Sequence, residues 1–322
     1  MTHHTIAVLE PGYAAYDTER SVLTSHEVSV EPVGADMAAV PTLQALNPVA
    51  LLVRERIVDA AVIDACPDLK VVVRYGVGVD NIDLDYARSR RIHVANVPDY
   101  GAEHEVSEHA VALYLAVQRR IVSRDADVRE GKWGIAQAEM IPNRENAVLG
   151  LVGCGKIGLQ TACKFRALGF ARVLVFDPYL SLEAAQAANV EPVELDELFQ
   201  TADVVSLHAP LTAETHHILN AERLALMKPT SIVVNVSRGG LVDEDALAAA
   251  LRDRRIFGAG IDVFEQEPVA RDNPLLSAPN TIVSDHAAWY SERSVAVLQS
   301  IAAREIKRVL DGLAPKNWVN PW

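Results

Sequence analysis

The sequence predicts an α/β protein with two domains, each built on a parallel sheet that helices cover on both faces. Short runs of β-branched residues alternate with helix-length segments along nearly the whole chain. These runs are apolar throughout rather than alternately polar, which is typical of strands buried on both faces. The length of 322 residues suits two domains of about 100–200 residues each.

The predicted strands fall into two series, one for each domain. The first series contains the runs at 6–9, 28–33, 50–54, 70–76 and 92–96. The second series contains the runs at 147–153, 172–177, 203–208, 231–237, 258–264 and 280–286. A final helix at about Ser294–Asp311 follows the second series and can return to the first domain. We therefore predict one domain from 1–99 with 290–322, and another from 100–289.

Residues Glu103 to Val122, between the two series, predict one long helix. An apolar stripe at helical spacing supports this prediction; its members are Val106, Ala110, Leu113, Val117 and Ile121.

The composition excludes several classes of function. The formal charge of −13 argues against a nucleic acid or an acidic lipid surface as partner. No apolar run approaches the roughly 20 residues that span a bilayer, and the first residues do not resemble a secretion signal. The three cysteines form no CxxC pair, so neither a disulfide framework nor a metal site is predicted. A cytoplasmic protein without membrane contact fits best.

The stretch NAVLGLVGCGKIG places Gly153, Gly155 and Gly158 in a G-x-G-x-x-G pattern between a strand and a predicted helix, about Lys156–Leu168. Glycines alone are equally typical of an ordinary tight turn, but this strand–turn–helix context is the one a dinucleotide site needs. Gly153 would allow the turn, Gly155 the approach of a pyrophosphate, and Gly158 close helix packing.

Asp177 ends the following strand, nineteen residues after Gly158. A carboxylate there can accept hydrogen bonds from both hydroxyls of an adenine ribose, and it repels a 2′-phosphate. The alternative is an ordinary solvated acid at a strand end. With the glycine turn beside it, Asp177 predicts NAD rather than NADP as the cofactor.

Three further strand ends of the second series carry Arg238, Glu267 and His286. Each has an unremarkable alternative: a surface charge, a solvated loop acid and a packed histidine. Because the carboxyl ends of parallel strands meet at one edge of a sheet, however, the three side chains can converge. A guanidinium can hold a substrate carboxylate and polarise a ketone, while an imidazole oriented by a carboxylate can protonate the ketone oxygen. These residue types suit hydride transfer to a 2-oxo acid.

Five motifs, in order, are similar to those of the D-isomer-specific 2-hydroxyacid dehydrogenase family over nearly the full length. They are GVGVDNID (76–83), GCGKIG (153–158), NVSRGGLVDEDAL (235–247), DVFEQEP (262–268) and DHAAW (285–289). The resemblance implies a flavodoxin-like substrate domain, a Rossmann NAD-binding domain, and Arg238, Glu267 and His286 as the catalytic residues.

The resemblance also implies contacts beyond the catalytic residues. Further cofactor contacts would come from Lys156, Ile157, His208, Ala209, Pro210, Thr215, Val236, Ser237 and Asp262, with Asp262 bonding the nicotinamide carboxamide. Substrate contacts would come from Arg74, Tyr75, Gly76, Val77 and Trp289. The long helix and an arm at about 124–146 would wrap a partner, which implies a homodimer.

Within this family the chain most resembles the C-terminal binding protein branch, because Arg74 and Trp289 match residues that border the substrate there. Candidate substrates are hydroxypyruvate, glyoxylate, 3-phosphoglycerate and bulkier keto acids, and these two residues favour a side chain larger than glyoxylate's. One alternative is an NAD-sensing, corepressor-like scaffold, although the intact catalytic residues argue for chemistry. A formate-type oxidation is disfavoured because Glu267 stands where that reaction uses glutamine.

Overall fold

The computed structural model of the chain describes residues 3–9, 12–34, 38–134 and 141–322. The chain divides into two compact units. The first contains Met1–Gly101 and Ser291–Trp322, and the second contains Ala102–Tyr290. Tyr100 and Gly101 thus belong to the first unit and Tyr290 to the second, which moves the predicted boundaries by one or two residues.

The first unit is built on a five-stranded parallel sheet in the order β2-β1-β3-β4-β5, which is the flavodoxin-like order. Its strands are β1 (His4–Leu9), β2 (Val28–Val33), β3 (Ala50–Val53), β4 (Val71–Arg74) and β5 (His93–Ala95). Its connecting helices are α1 (Asp17–Val22), α2 (Ala39–Leu46), α3 (Ala60–Asp64) and α4 (Leu84–Ser89). Every residue of β3 and β4 is buried, as expected of central strands covered on both faces.

The second unit begins with two helices and a strand that lead into its glycine turn. The helices of this unit are α5 (Ala102–Arg119), α6 (Ile121–Arg129), α7 (Lys156–Ala167), α8 (Leu182–Ala187), α9 (Leu195–Thr201), α10 (Ala221–Leu226) and α11 (Glu244–Arg252). Its strands are β6 (Val148–Val152), β7 (Arg172–Phe176), β8 (Glu191–Pro192), β9 (Val204–Leu207), β10 (Ile232–Asn235), β11 (Gly258–Ile261) and β12 (Thr281–Val283).

These strands form a seven-stranded parallel sheet in the order β12-β11-β10-β9-β6-β7-β8, the Rossmann order with one added strand. The sequence predicted six strands and missed β8. The reason is physical: β8 is an exposed edge strand of two residues, without the apolar run that marks a buried strand.

The predicted long helix is in fact two helices, because Arg120 interrupts it in a left-handed conformation with φ 53°. Val106, Ala110, Leu113 and Val117 are buried as the stripe predicted. Ile121 is not: it begins α6 and is 55% exposed. Glycine or proline usually marks a helix break. Because arginine stands at this position, the sequence carried no signal for the break.

The final helix, α12 (Glu292–Leu310), belongs to the first unit, where it packs against α1. The Gln299 side chain on α12 donates to the carbonyl of Ala15 at 2.8 Å and to the buried carboxylate of Glu19 at 3.1 Å. No helix in the described part of the chain combines the length and apolarity needed to cross a membrane.

The last residues of the chain add an antiparallel segment beside the edge strand β5. Ala95 and Trp318 form a bridge, and the amide of Val319 donates to the carbonyl of Val94 at 2.9 Å. Asn320 is completely buried, and its side chain bonds the amide of Val94 and the carbonyl of Ile92, at 2.8 and 2.9 Å. The tail therefore satisfies backbone groups that an edge strand would otherwise expose.

Candidate active site

The glycine turn after β6 is shaped by close backbone contacts. Gly153 has φ +94°, and a Cβ there would lie 2.6 Å from the amide nitrogen of Ala209. A Cβ on Gly158 would lie 2.6 Å from the carbonyl oxygen of Gly153. A Cβ on Gly155, by contrast, would meet nothing within 4 Å. Packing therefore requires glycine at 153 and 158, whereas Gly155 keeps open the surface at the start of α7.

The first turn of α7 presents backbone amides to this open surface. Lys156 and Ile157 begin the helix, and the amides of a first turn have no partner within their own helix. The helix dipole adds partial positive charge at the same end. Free amides and partial positive charge at one helix end are suited to binding a pyrophosphate. The turn therefore fits a dinucleotide.

Asp177 lies at the end of β7, and its carboxylate is fastened to the glycine turn. One oxygen, Oδ2, accepts the amide of Cys154 at 2.8 Å, and Oδ1 accepts the amide of Tyr179 at 2.9 Å. The link to Cys154 was not foreseen from the sequence. It fixes the carboxylate beside the turn while leaving each oxygen a second lone pair for a ribose hydroxyl.

The residues after β9 form a loop braced by two predicted cofactor-binding side chains. The hydroxyl of Thr215 donates to the carbonyl of Pro210, and that of Ser237 donates to the carbonyl of Ala209, both at 2.7 Å. Val236, next to Ser237, is buried. These side chains hold the loop in place beside Gly153.

His208 opens the same loop and is held neutral by its surroundings. Its Nε2 lies 2.9 Å from the hydroxyl of Ser206, and its amide donates to the carbonyl of Val152 at 2.7 Å. Burial lowers the pKa of His208 to about 4. The ring is therefore uncharged at neutral pH.

Glu267 and His286 form the central pair of the site. The Nδ1 of His286 lies 2.7 Å from Oε2 of Glu267, and the other carboxylate oxygen accepts the amide of Phe264 at 3.0 Å. Both side chains remain partly exposed, 19% for His286 and 25% for Glu267. The pair thus has a fixed internal geometry and an accessible imidazole.

Arg238 follows β10, the strand next to β11, in a turn that packs against the loop leading to Glu267. A Cβ on Gly239 would lie 1.8 Å from the carbonyl carbon of Phe264, so only glycine permits this approach. The carbonyl of Arg238 accepts the side-chain amide of Asn235 at 2.8 Å, and its Nη1 donates to the carbonyl of Ser237 at 2.8 Å. The structure therefore places the Arg238 turn directly beside the Glu267 loop.

Asp262, the predicted nicotinamide contact, has a completely buried side chain. Its carboxylate accepts the hydroxyl of Ser284 at 2.6 Å and the amides of Ala287 and Ala288, each at 3.0 Å. Burial opposes ionisation, but hydrogen bonds from His109, Ser284 and the Ala288 amide outweigh it and lower the pKa of Asp262. The carboxylate therefore organises the chain around His286 from within the protein.

The predicted substrate residues of the first unit lie at the end of β4. Arg74 is 7% exposed, and its guanidinium donates to Oε1 of Glu55 at 2.9 Å and to the carbonyl of Arg54 at 3.1 Å. It covers Gly76, where φ is +138° and a Cβ would lie 1.7 Å from Nη1 of Arg74. Val77 is 44% exposed.

Tyr75 is not available to a substrate through its side chain. It is buried, and its hydroxyl donates to Oε1 of Glu19 at 2.5 Å. Its ring packs edge-on against that of Tyr13, 5.1 Å away.

Trp289, in the second unit, is half-buried three residues after His286. Its ring meets that of Tyr290 edge-on at 5.7 Å. Trp289 and His286 therefore belong to one short segment, as the predicted apolar wall for a substrate side chain requires.

Residues 111–288 match the sequence profile described as "D-isomer specific 2-hydroxyacid dehydrogenase, NAD binding domain". The chain is 41% identical over 266 residues to glyoxylate reductase of Korarchaeum cryptofilum, covering 82% of this chain and 80% of that one. It is 40% identical over 260 residues to D-3-phosphoglycerate dehydrogenase of Methanocaldococcus jannaschii, of which it spans only 49%.

The fold is similar to that of D-lactate dehydrogenase from Aquifex aeolicus, solved with NAD and lactic acid. The TM-score is 0.87 at 26% identity, covering 98% of this chain and 99% of the other. This structural similarity extends over both units, since the alignment covers 98% of this chain.

Proposed function

The chain belongs to the D-isomer-specific 2-hydroxyacid dehydrogenase family, and we propose on that premise that it reduces a 2-oxo acid to the D-2-hydroxy acid with NADH. The observation that carries the proposal is the hydrogen bond between His286 and Glu267, 2.7 Å long, beside the Arg238 turn. Such a pair can deliver a proton to a ketone oxygen. The relatives reported above are named as enzymes, and those names lend no support to a corepressor-like scaffold.

In the proposed reaction, each group of the second unit has one task. Glu267 accepts a hydrogen bond from Nδ1–H of His286 and orients the ring, so that the protonated imidazole donates the proton on Nε2 to the ketone oxygen. Arg238 supplies the positive charge that holds the substrate carboxylate and polarises the carbonyl. When bound, NADH supplies the hydride that the carbonyl carbon receives.

The cofactor would be held by the glycine turn and the two strand ends beside it. The open surface at Gly155 and the first amides of α7 suit the pyrophosphate. The Asp177 carboxylate, already oriented by the amide of Cys154, suits the adenine ribose and disfavours a 2′-phosphate.

The proposed substrate is a 2-oxo acid with a side chain larger than the hydrogen of glyoxylate. Trp289 supports this, since a half-buried indole three residues from His286 can pack against an apolar tail. The residues Arg74, Gly76 and Val77 of the first unit remain predicted substrate contacts.

The test is NADH oxidation, followed at 340 nm, with a panel of 2-oxo acids. The panel contains glyoxylate, pyruvate, hydroxypyruvate, phosphohydroxypyruvate and 4-methyl-2-oxopentanoate. We expect turnover, with kcat/KM higher for a larger side chain than for glyoxylate. No oxidation of NADH with any member would contradict the proposed function, and a preference for glyoxylate would contradict only the substrate class.

We also propose a homodimer, in which a second copy covers α6. This helix has no buried residue, and Ile121, Val122 and Val128 are each 54–55% exposed. Trp133 follows at 92% exposure. A patch of this kind marks an interaction surface. Of the predicted arm at 124–146, residues 135–140 lie outside the described part of the chain. Sedimentation that shows only a 35.0 kDa species would contradict the dimer.

A cytoplasmic location is proposed from the cysteines, because Cys66, Cys154 and Cys163 are all free. Free thiols persist in a reducing compartment. Fractionation of the cells that express the protein would test this proposal, and recovery with secreted or membrane material would contradict it.

A further inference from the structure

The segment that carries His286 is wrapped around a buried carboxylate. Asp262, directly after β11, accepts the hydroxyl of Ser284, which precedes His286, and the amides of Ala287 and Ala288, which follow it. The carbonyl of Asp262 also accepts the amide of His286, at 2.8 Å. Both the backbone and the side chain of Asp262 thus bond to this segment.

The conformation held in this way is one that histidine rarely adopts. His286 has φ +55°, in the left-handed region, where a side chain other than glycine costs free energy. Such a conformation persists only where the surroundings fix it. The hydrogen bonds to Asp262 flank this residue, and they are therefore positioned to maintain the turn that aims the imidazole.

His109, on α5, extends this hydrogen-bond network beyond Ser284 and Asp262. Its Nε2 lies 2.8 Å from Oγ of Ser284 and 3.4 Å from Oδ1 of Asp262. The single hydroxyl proton of Ser284 goes to Asp262, because an ionised carboxylate can only accept. Ser284 must therefore accept its other hydrogen bond from Nε2 of His109, which orients the hydroxyl towards Asp262.

We propose that His109 and Ser284 are positioning residues for His286, acting through Asp262. The chain of donors runs from His109 to Ser284 to Asp262, and the carboxylate then holds the Ser284 hydroxyl before the catalytic imidazole and the Ala287 and Ala288 amides after it. The proposal deepens the proposed function and rests on it, since it presumes that His286 donates the proton.

This role also accounts for the complete burial of Asp262. A carboxylate that contacts a ligand needs a surface the ligand can reach, whereas one that fixes a loop is best sheltered from water, where its hydrogen bonds are stronger. All the hydrogen bonds named here join residues of the second unit, so none of them involves the first unit.

The test compares two pairs of variants with a control. Ser284→Ala removes the hydroxyl, while Ser284→Thr retains it. His109→Leu removes the donor at Nε2, while His109→Gln retains an N–H at a similar distance. His104→Leu is the control, because His104 is an exposed residue of the same helix.

Each variant is assayed with the 2-oxo acid that the wild type turns over best. We expect S284A and H109L to lower kcat roughly tenfold or more, since small misplacement of a catalytic group is costly. Affinity for NADH, measured by fluorescence, should change less than twofold. S284T and H109Q should recover most of kcat, and H104L should match the wild type.

Two measurements separate positioning from a general loss of structure. With NADH deuterated at the transferred hydrogen, the isotope effect on kcat should rise in S284A and H109L, because the chemical step becomes slower. The double variant should be no slower than the worse single variant, because both act through one carboxylate.

Some outcomes would overturn the proposal. These are unchanged kcat in S284A and H109L, equal losses in the removing and retaining variants, or single losses that multiply in the double variant. If the wild type itself fails to turn over any 2-oxo acid, the proposed function fails instead, and the two failures are thereby distinguished.

Discussion

The imidazole of His286 contacts the carboxylate of Glu267 through Nδ1, at 2.7 Å, and that carboxylate is itself anchored by the amide of Phe264 at 3.0 Å. Each oxygen of Glu267 therefore has a different task, one fixing the loop and the other the ring. Because Nδ1 is engaged, the proton available for transfer is the one on Nε2. We therefore expect a change at His286 to affect proton transfer to the ketone without affecting the binding of the cofactor.

Replacing His286 with alanine should abolish most ketone reduction. We expect kcat to fall by at least about 10²-fold, the lower range for a lost general acid, while the dissociation constant of NADH stays near that of the wild type. Stopped-flow reduction and NADH fluorescence measure the two quantities. Normal turnover by H286A would show that another group supplies the proton.

Replacing Asp177 with alanine should weaken NADH and reduce discrimination against NADPH. The substitution removes the acceptor for the ribose hydroxyls and also the hydrogen bond from the Cys154 amide. KM for NADH should therefore rise roughly tenfold. The ratio of kcat/KM for the two cofactors is the measurement. Glu183→Ala, at an exposed acid in the first turn of α8, is the control for charge alone. An unchanged ratio in D177A would remove the ribose assignment.

Gly153→Ala and Gly155→Ala form a matched pair in one turn. A methyl at 153 would collide with the backbone of Ala209 and would require φ +94°, so G153A should lower Tm by several degrees. A methyl at 155 meets no protein atom within 4 Å, and the backbone there, φ −71°, suits alanine. G155A should therefore keep its Tm but bind NADH more weakly. Equal Tm losses in both variants would contradict this difference.

The neutral His208 ring predicts a loss of stability in mild acid. Its pKa is about 4 in the folded chain against an ordinary 6.5, so between these values the unfolded chain binds more protons than the folded one. The contribution is complete above pH 6.5 and is lost as the pH falls towards 4, by at most about 1.4 kcal/mol per pH unit.

Urea unfolding of the wild type and His208→Gln at several pH values tests this. As the pH falls from 6.5 to 4, the wild type should lose unfolding free energy relative to H208Q, because glutamine does not titrate. Parallel curves over that range would mean that His208 titrates normally.

The strands and the glycine turn were predictable because their signals are local. A run such as that of β3 is apolar because both of its faces are buried, and Gly153 is glycine because of the conformation of its own backbone. Family motifs likewise lie within short stretches. Bounds of α7 and α12 were therefore predicted to within two residues.

The features that the sequence missed depend on distant partners. Ser284 and His109 are 175 positions apart, and nothing in either stretch indicates that they meet. The burial of Asp262 and the inward side chain of Tyr75 are likewise set by packing. Arg120 breaks a helix without glycine or proline, so its left-handed conformation left no trace in the residue pattern.

The segment from Trp318 to Asn320 completes an edge of a sheet whose strands are all encoded before residue 96. During translation, those first strands emerge long before the residues that close β5 and before α12, which packs on α1. The second unit is continuous in the chain and has no such dependence. The first strands must therefore wait for the synthesis of α12 and of residues 318–320, and the continuous unit can finish folding first.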